Sequence, residues 1–157
     1  MKLEILQENL NHGLSVVSKV LAAHPQISIL SNVLLRTTEG QLELTASNME
    51  TTISVVIGAK IEESGSFTVP GKTFVEIING LAAGKVSLEV LEGSMTVSSG
   101  KFKAKLNGSP ADDFPKTPEI KKGSKWQIDS KTFQAAITKT IFCAALDEGR
   151  AVLTGVL

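Results

Sequence analysis

The chain carries one cysteine, Cys143, and two histidines, His12 and His24, in 157 residues. A single thiol excludes an internal disulfide and any zinc site built on cysteine pairs. Cys143 is expected as a small buried residue near a helix end. Neither histidine has a second ligand at metal spacing, so no metal and no cofactor are expected. No apolar run approaches the ~20 residues that a membrane span needs. The first residues carry Glu4 and Glu8 and no apolar h-region, so no signal peptide is visible. A soluble, cytoplasmic chain with no membrane partner is expected. Excess charge is missing too, since 16 Lys and Arg balance 16 Asp and Glu. That excludes a duplex binder relying on bulk charge. The balance is uneven, however. Residues 1–120 hold 10 basic and 13 acidic residues, and the tail carries the compensating positive charge.

Catalytic constellations are also lacking. No Ser/His/Asp or Cys/His arrangement is recognisable. Gly71-Lys72-Thr73 looks like the end of a phosphate-binding loop, but the motif's first glycine would fall on Ser66. Asp112 and Asp113 are adjacent in a proline-rich stretch, where their carboxylates point apart into solvent. The chain is therefore read as a non-enzyme.

What is present is hydrophobic periodicity. Leu3 and Ile5 alternate with polar residues, as in a half-buried strand. Leu10, Leu14, Val17 and Leu21 then form one face of a helix. A loop through Ala22–Gln26 leads to the apolar run Ile29–Leu35. Shifted by 123 residues without a gap, the unit returns. Leu3 and Ile5 fall on Trp126 and Ile128, and Leu10 and Leu14 on Phe133 and Ile137. Ile29-Leu30 falls on Val152-Leu153. Over the first 34 positions, twelve pairs are apolar on both sides, against about six by chance at this composition. A duplicated module of roughly 120 residues is expected, with the chain stopping one strand into the second copy. The domains are read as 1–120, a first complete module, and 121–157, a linker and the truncated beginning of a second.

Within the first module, Leu34–Thr38 and Gln41–Ala46 flank Glu39-Gly40, a hairpin signal. Thr51–Ile57 is a β-branched strand. A polar loop, Glu62–Gly65, precedes the strand Ser66–Val69. Pro70-Gly71 opens a second helix with Phe74, Ile77, Ile78 and Leu81 on its apolar face. Val86–Leu91 and Ser94–Ser98 flank Glu92-Gly93, and Lys101–Leu106 gives a last strand. The order is βαβββ twice, so the fold class is α+β, with duplicated βαβββ units and helices packed on antiparallel sheets. Pro110–Pro118 reads as the linker. In Lys101–Leu106 three lysines alternate with three apolar residues. This pattern fits an edge strand guarded by lysines, or an edge that pairs with an acidic strand of another subunit.

Five stretches together resemble one family. They are Ile29–Leu35, Thr68–Phe74, Ser99–Lys103, Asn107-Gly108 with Ala111–Pro115, and Arg150–Val156. They are similar to the bacterial DNA polymerase III beta subunit, the sliding clamp. The resemblance implies a DNA-clamp fold and three such modules per chain, assembled as a homodimer ring around duplex DNA. It implies no catalytic activity. The partners implied are the replicative DNA polymerase and the clamp loader, engaged through short linear motifs. By residue, it implies DNA-facing positions at His24, Pro25 and Lys72. It implies a dimer interface at Thr73, Ile77, Leu81, Lys101, Lys103, Ala104 and Leu106. Arg150 and Leu153 match part of the partner-peptide pocket. The rival reading of the same pattern is a β-rich repeat interaction module that does not encircle DNA.

Overall fold

The computed structural model describes residues 1–21, 27–116, 123, 125–145 and 148–157. The chain divides into two compact units, Met1–Thr117 and Pro118–Leu157.

The first unit runs β1 (Lys2–Leu6), α1 (Gln7–Val17), β2 (Asn32–Thr38), β3 (Gln41–Ser47), β4 (Thr52–Gly58) and β5 (Lys60–Glu63). It continues through β6 (Ser66–Pro70), α2 (Gly71–Asn79), β7 (Lys85–Leu91), β8 (Ser94–Ser99), β9 (Phe102–Asn107) and β10 (Ser109–Pro110). Ten strands form two five-stranded sheets, ordered β5-β1-β7-β8-β9 and β10-β6-β2-β3-β4. Each half of the unit therefore lends its first strand to the other half's sheet. The register matches as well: β1 meets β7 with Lys2 opposite Glu89, and β6 meets β2 with Ser66 opposite Arg36. The duplication read from the element order is an approximate two-fold in which the halves are interlocked.

The elements follow from their sequences. Leu10, Leu14 and Val17 put one stripe of α1 into the core, each burial stabilising by roughly 1.5–3 kcal/mol before entropy. Gly13 lets α1 settle on the sheet, because a Cβ there would stand 3.0 Å from Leu44 Cδ1. Gln7 is buried and donates through Nε2 to the carbonyl of Ile78 at 2.8 Å, tying the start of α1 to the end of α2. Glu92 and Gly93 both take positive φ, 48° and 74°, the backbone of a tight type I′ hairpin. Every apolar residue that is buried among those described lies between Leu3 and Phe114.

Several expectations change at element ends. The helix α1 stops at Val17, and Ser18–Val20 form a 3-10 turn. This turns Val20 inward in place of Leu21, which is extended and half-buried. Ile29 lies in a 3-10 turn, Ser28–Ser31, so β2 starts at Asn32, partway along the apolar run rather than at its beginning. Leu81 lies beyond the end of α2, after Gly80. Glu62 and Glu63, expected in a loop, belong to β5, whose backbone pairs with β1. The Lys2 ammonium lies 3.0 Å from Glu62, and this hydrogen-bonded pairing raises the Lys2 pKa. Much of the expected linker belongs to the module, since Ser109–Pro110 pair with β6 and Phe114 is only 4% exposed.

The second unit contains α3 (Ser130–Thr140), followed by 3-10 turns at Ile141–Cys143 and Glu148–Thr154. Shifting α1 by 123 residues lands on the bounds of α3, and Ser18–Val20 lands on Ile141–Cys143. The expected strand at Trp126–Ile128 is not formed. Both side chains are exposed, and no strand hydrogen-bonds beside them. Cys143, expected buried, is exposed for the same reason: among the described residues of this unit no sheet lies beneath the helix.

Candidate functional site

A sheet has two edges, and an edge displays unpaired N–H and C=O groups. In the first sheet the β5 edge is short and charged. The β9 edge is six residues long, and among the described residues no strand lies beyond it. Gly100, at φ +57°, makes the turn that leads into it. Lys101 itself sits in that turn, not in the strand, which begins at Phe102. Lys101, Lys103 and Lys105 are exposed, and among the described residues none forms an ion pair. Three ammonium groups along a bare edge repel a like strand and favour an acidic one.

The apolar face of β9 is graded along its length. Leu106 is 6% exposed, lies in the core and faces Met95 across the ladder. Ala104 is half-buried, and Phe102 is 42% exposed. The cause lies in helix placement. The helix α1 lies across β4 and β3, whereas α2 packs chiefly on β2, β6 and α1. Neither of these helices makes a substantial contact with β9. Ile77 and Leu81 are half-buried at the margin of the core, and Thr73 is exposed. Phe102 was not singled out among the candidate residues. The signal for it was present in the sequence, as an aromatic at the open end of an edge strand.

Lys72 is the second residue of α2 and is exposed, with no acidic residue in the first turn. A helix N-terminus disfavours a cation. The residue adds nothing to the helix there, and among the described residues no ion pair neutralises it. The close packing beneath it is set by Gly71, where a Cβ would stand 2.5 Å from Leu21 Cδ1 and 3.1 Å from the Ser31 carbonyl. Lys72 emerges directly from a strand-to-helix junction rather than from a glycine-rich loop, which removes the phosphate-loop reading. His24 and Pro25 lie outside the described residues. No cluster of His, Cys, Asp or Glu able to hold a metal occurs among the described residues. No described helix is long and apolar enough to cross a membrane.

In the second unit, Arg150 is exposed and interrupts the 3-10 segment at φ −135°, ψ 83°. Leu153 is 49% exposed, and its carbonyl accepts from the Ala145 N–H at 2.8 Å. That bond fixes the backbone of the segment carrying both candidate pocket residues.

Taken together, the two interlocked sheets and their helices define a class of protein: a duplicated α+β module. The chain belongs to the DNA polymerase III beta subunit family. The model of that family's N-terminal domain matches residues 1–118. The beta sliding clamp of Synechococcus elongatus is 33% identical over 159 residues, covering 99% of this chain and 42% of the relative. That of Escherichia coli K12 is also 33% identical, covering 100% and 43%. Among solved structures, Caulobacter crescentus pol III beta superposes with a TM-score of 0.91 at 31% identity over 99% of this chain. The Bacillus subtilis DNA polymerase sliding clamp gives 0.92 at 28% identity, also over 99% of the chain. The chain thus spans a little over two fifths of the length of these relatives.

Proposed function

We propose that this chain supplies the first module, and the beginning of the second, of a DNA sliding clamp. The clamp is a non-catalytic processivity factor in the cytoplasm that encircles duplex DNA and tethers the replicative polymerase. The observation that carries the reading is the family match over the first module, joined to an open, lysine-bearing sheet edge at β9. Lys72, with His24 and Pro25, faces the DNA. Thr73, Ile77 and Leu81 on the α2 side, with Lys101, Lys103 and Ala104, form this module's half of a homodimer interface, which Leu106 supports from inside the core. Arg150 and Leu153 contribute to a pocket for the short motifs of the polymerase and clamp loader.

Sparse basic content suits a ring. A protein held by phosphate contacts dissociates steeply as salt rises, because counterions are released. A ring needs only weak contacts and stays on DNA by topology. The test is gel filtration of the full-length protein loaded on nicked circular DNA, at roughly 0.1 M salt and at several-fold higher salt. Retention on circles in both salts, with loss on linearisation, is expected. Equal retention on circular and linear DNA rejects the ring and favours an interaction module that does not encircle DNA.

A further inference from the structure

The segment that carries the chain out of the first unit is held differently from everything before it. Up to Pro110 the backbone is fixed. The Gly108 N–H donates to the Gly93 carbonyl at 3.2 Å, and a Cβ at Gly108 would collide with the Thr68 carbonyl and the Phe67 ring. Ser109 and Pro110 pair with β6, and the Thr68 hydroxyl donates to the Ser109 carbonyl at 3.0 Å. From Asp112 to Lys116, no hydrogen bond or ion pair joins the segment to the sheet among the described residues. Its Phe114 N–H donates within the segment, to the Ala111 carbonyl at 3.0 Å. Phe114 is buried, whereas Asp112, Asp113 and Lys116 are exposed. The ring is not part of the main core. Leu30, Leu34 and Phe114 are buried apolar residues that stand outside it. Leu34 alternates with Val33 and Leu35, so it lies on the face of β2 turned away from the helices. Phe114 shares with it a cleft of about 300 Å³, bordered by Arg36, Glu43, Thr45 and Ser66.

We propose that Ala111–Lys116 is a latched strap, anchored by Phe114 alone, which opens about Pro110 while both sheets stay intact and so lengthens the link to the second unit by six residues. Ordering six residues costs backbone entropy. One aromatic ring beside an unfilled cleft offsets it, where the core strands have full ladders and close packing. Segments with few buried contacts open at lower free energy than the body they rest on. Released and extended, six residues reach roughly 20 Å. A longer link lets the second unit move further before the chain becomes taut, whatever the chain encloses.

Native-state hydrogen exchange of the 157-residue chain at low urea concentrations tests this. The Phe114 amide is expected to exchange at least tenfold faster than the amides of the central strand β3. Its rate is expected to depend little on urea, because strap opening exposes little surface. Equal rates and equal urea dependence at the two places overturn the proposal, since the strap then opens only when the module unfolds. So does a Phe114 amide without protection, since nothing then latches the strap. In Phe114→Ala, cleavage by an Asp-specific protease at Asp112 is expected to quicken at least tenfold, with the β3 amides protected to within a few-fold. Unchanged cleavage, or lost protection in β3, overturns the latch. Labels on the exposed Cys143 and on Glu39→Cys are expected to give a broader distance distribution once Phe114→Ala is added. An unchanged distribution overturns the longer link.

Discussion

Phe102 and Leu106 stand four residues apart on one face of β9 and are expected to respond oppositely to substitution. Leu106 already fills space inside the module, so Leu106→Ala leaves a cavity and is expected to cost about 2–5 kcal/mol in urea unfolding. Phe102 is substantially exposed, so Phe102→Asp is expected to change stability by no more than about 0.5 kcal/mol. If β9 is the subunit edge, it should nonetheless weaken subunit association, read by sedimentation of the full-length protein. Stable association in Phe102→Asp would remove the aromatic from the interface. Gly71 is the other revealing residue. A methyl group there collides with Leu21 and approaches the Ser31 carbonyl. Gly71→Ala is expected to destabilise by about 1–3 kcal/mol, read as a lowered urea midpoint with an unchanged m-value. The sequence showed Gly71 near a helix start but not this requirement, because Leu21 and Ser31 reach it only through the fold.

Among the elements, α1 and α3 share length, spacing and the 3-10 turn that follows, yet α1 buries a stripe and α3 buries nothing. Helix hydrogen bonds are local, so the repeated pattern reproduces the helix without its sheet. Strand hydrogen bonds require a neighbour, so Trp126–Ile128 does not form the strand that Leu3–Ile5 does. The two helices also begin differently. Leu6 offers no side-chain cap to α1, whereas Asp129 Oδ1 accepts from the Thr132 N–H at 2.9 Å and from its hydroxyl at 2.7 Å. Those bonds hold the Asp129 carboxyl below its ordinary 3.8. A depressed folded-state pKa contributes stability that is present above the unfolded value and lost as pH falls through the folded one. The first turn of α3 is therefore expected to be intact at neutral pH and to fray in acid below about pH 4. Amide shifts and exchange at Thr132 measure this, and Asp129→Ala should abolish the pH dependence. An unchanged acid response in that variant would assign it elsewhere.

For the whole molecule, the interlocked sheets make residues 1–117 one cooperative body. Every buried apolar residue among those described belongs to it, and β1 and β6 are held by the opposite half. A chain ending at Thr117 is expected to fold with the same two sheets and a single calorimetric transition, within a few degrees of the longer chain. Two transitions would mean that the halves unfold separately despite the exchanged strands. The strands β5 and β10 cap the edges next to the lent strands, leaving β9 and β4 at the far ends.

Periodicity in the chain determined the helices, the hairpins, the α+β class and the duplication, because these rest on neighbours a few residues apart. It also marked β9 as an edge, since three like charges along one strand guard a bare edge. Only the tertiary structure decided which half each first strand joins, and that Glu62-Glu63 and Ser109-Pro110 are strands. It also decided that Phe114 anchors the expected linker, and that Leu106 is enclosed while Phe102 is not. Those outcomes depend on partners distant in sequence. A strand exists only where another backbone supplies its hydrogen bonds, and a side chain is buried only where another element arrives to cover it.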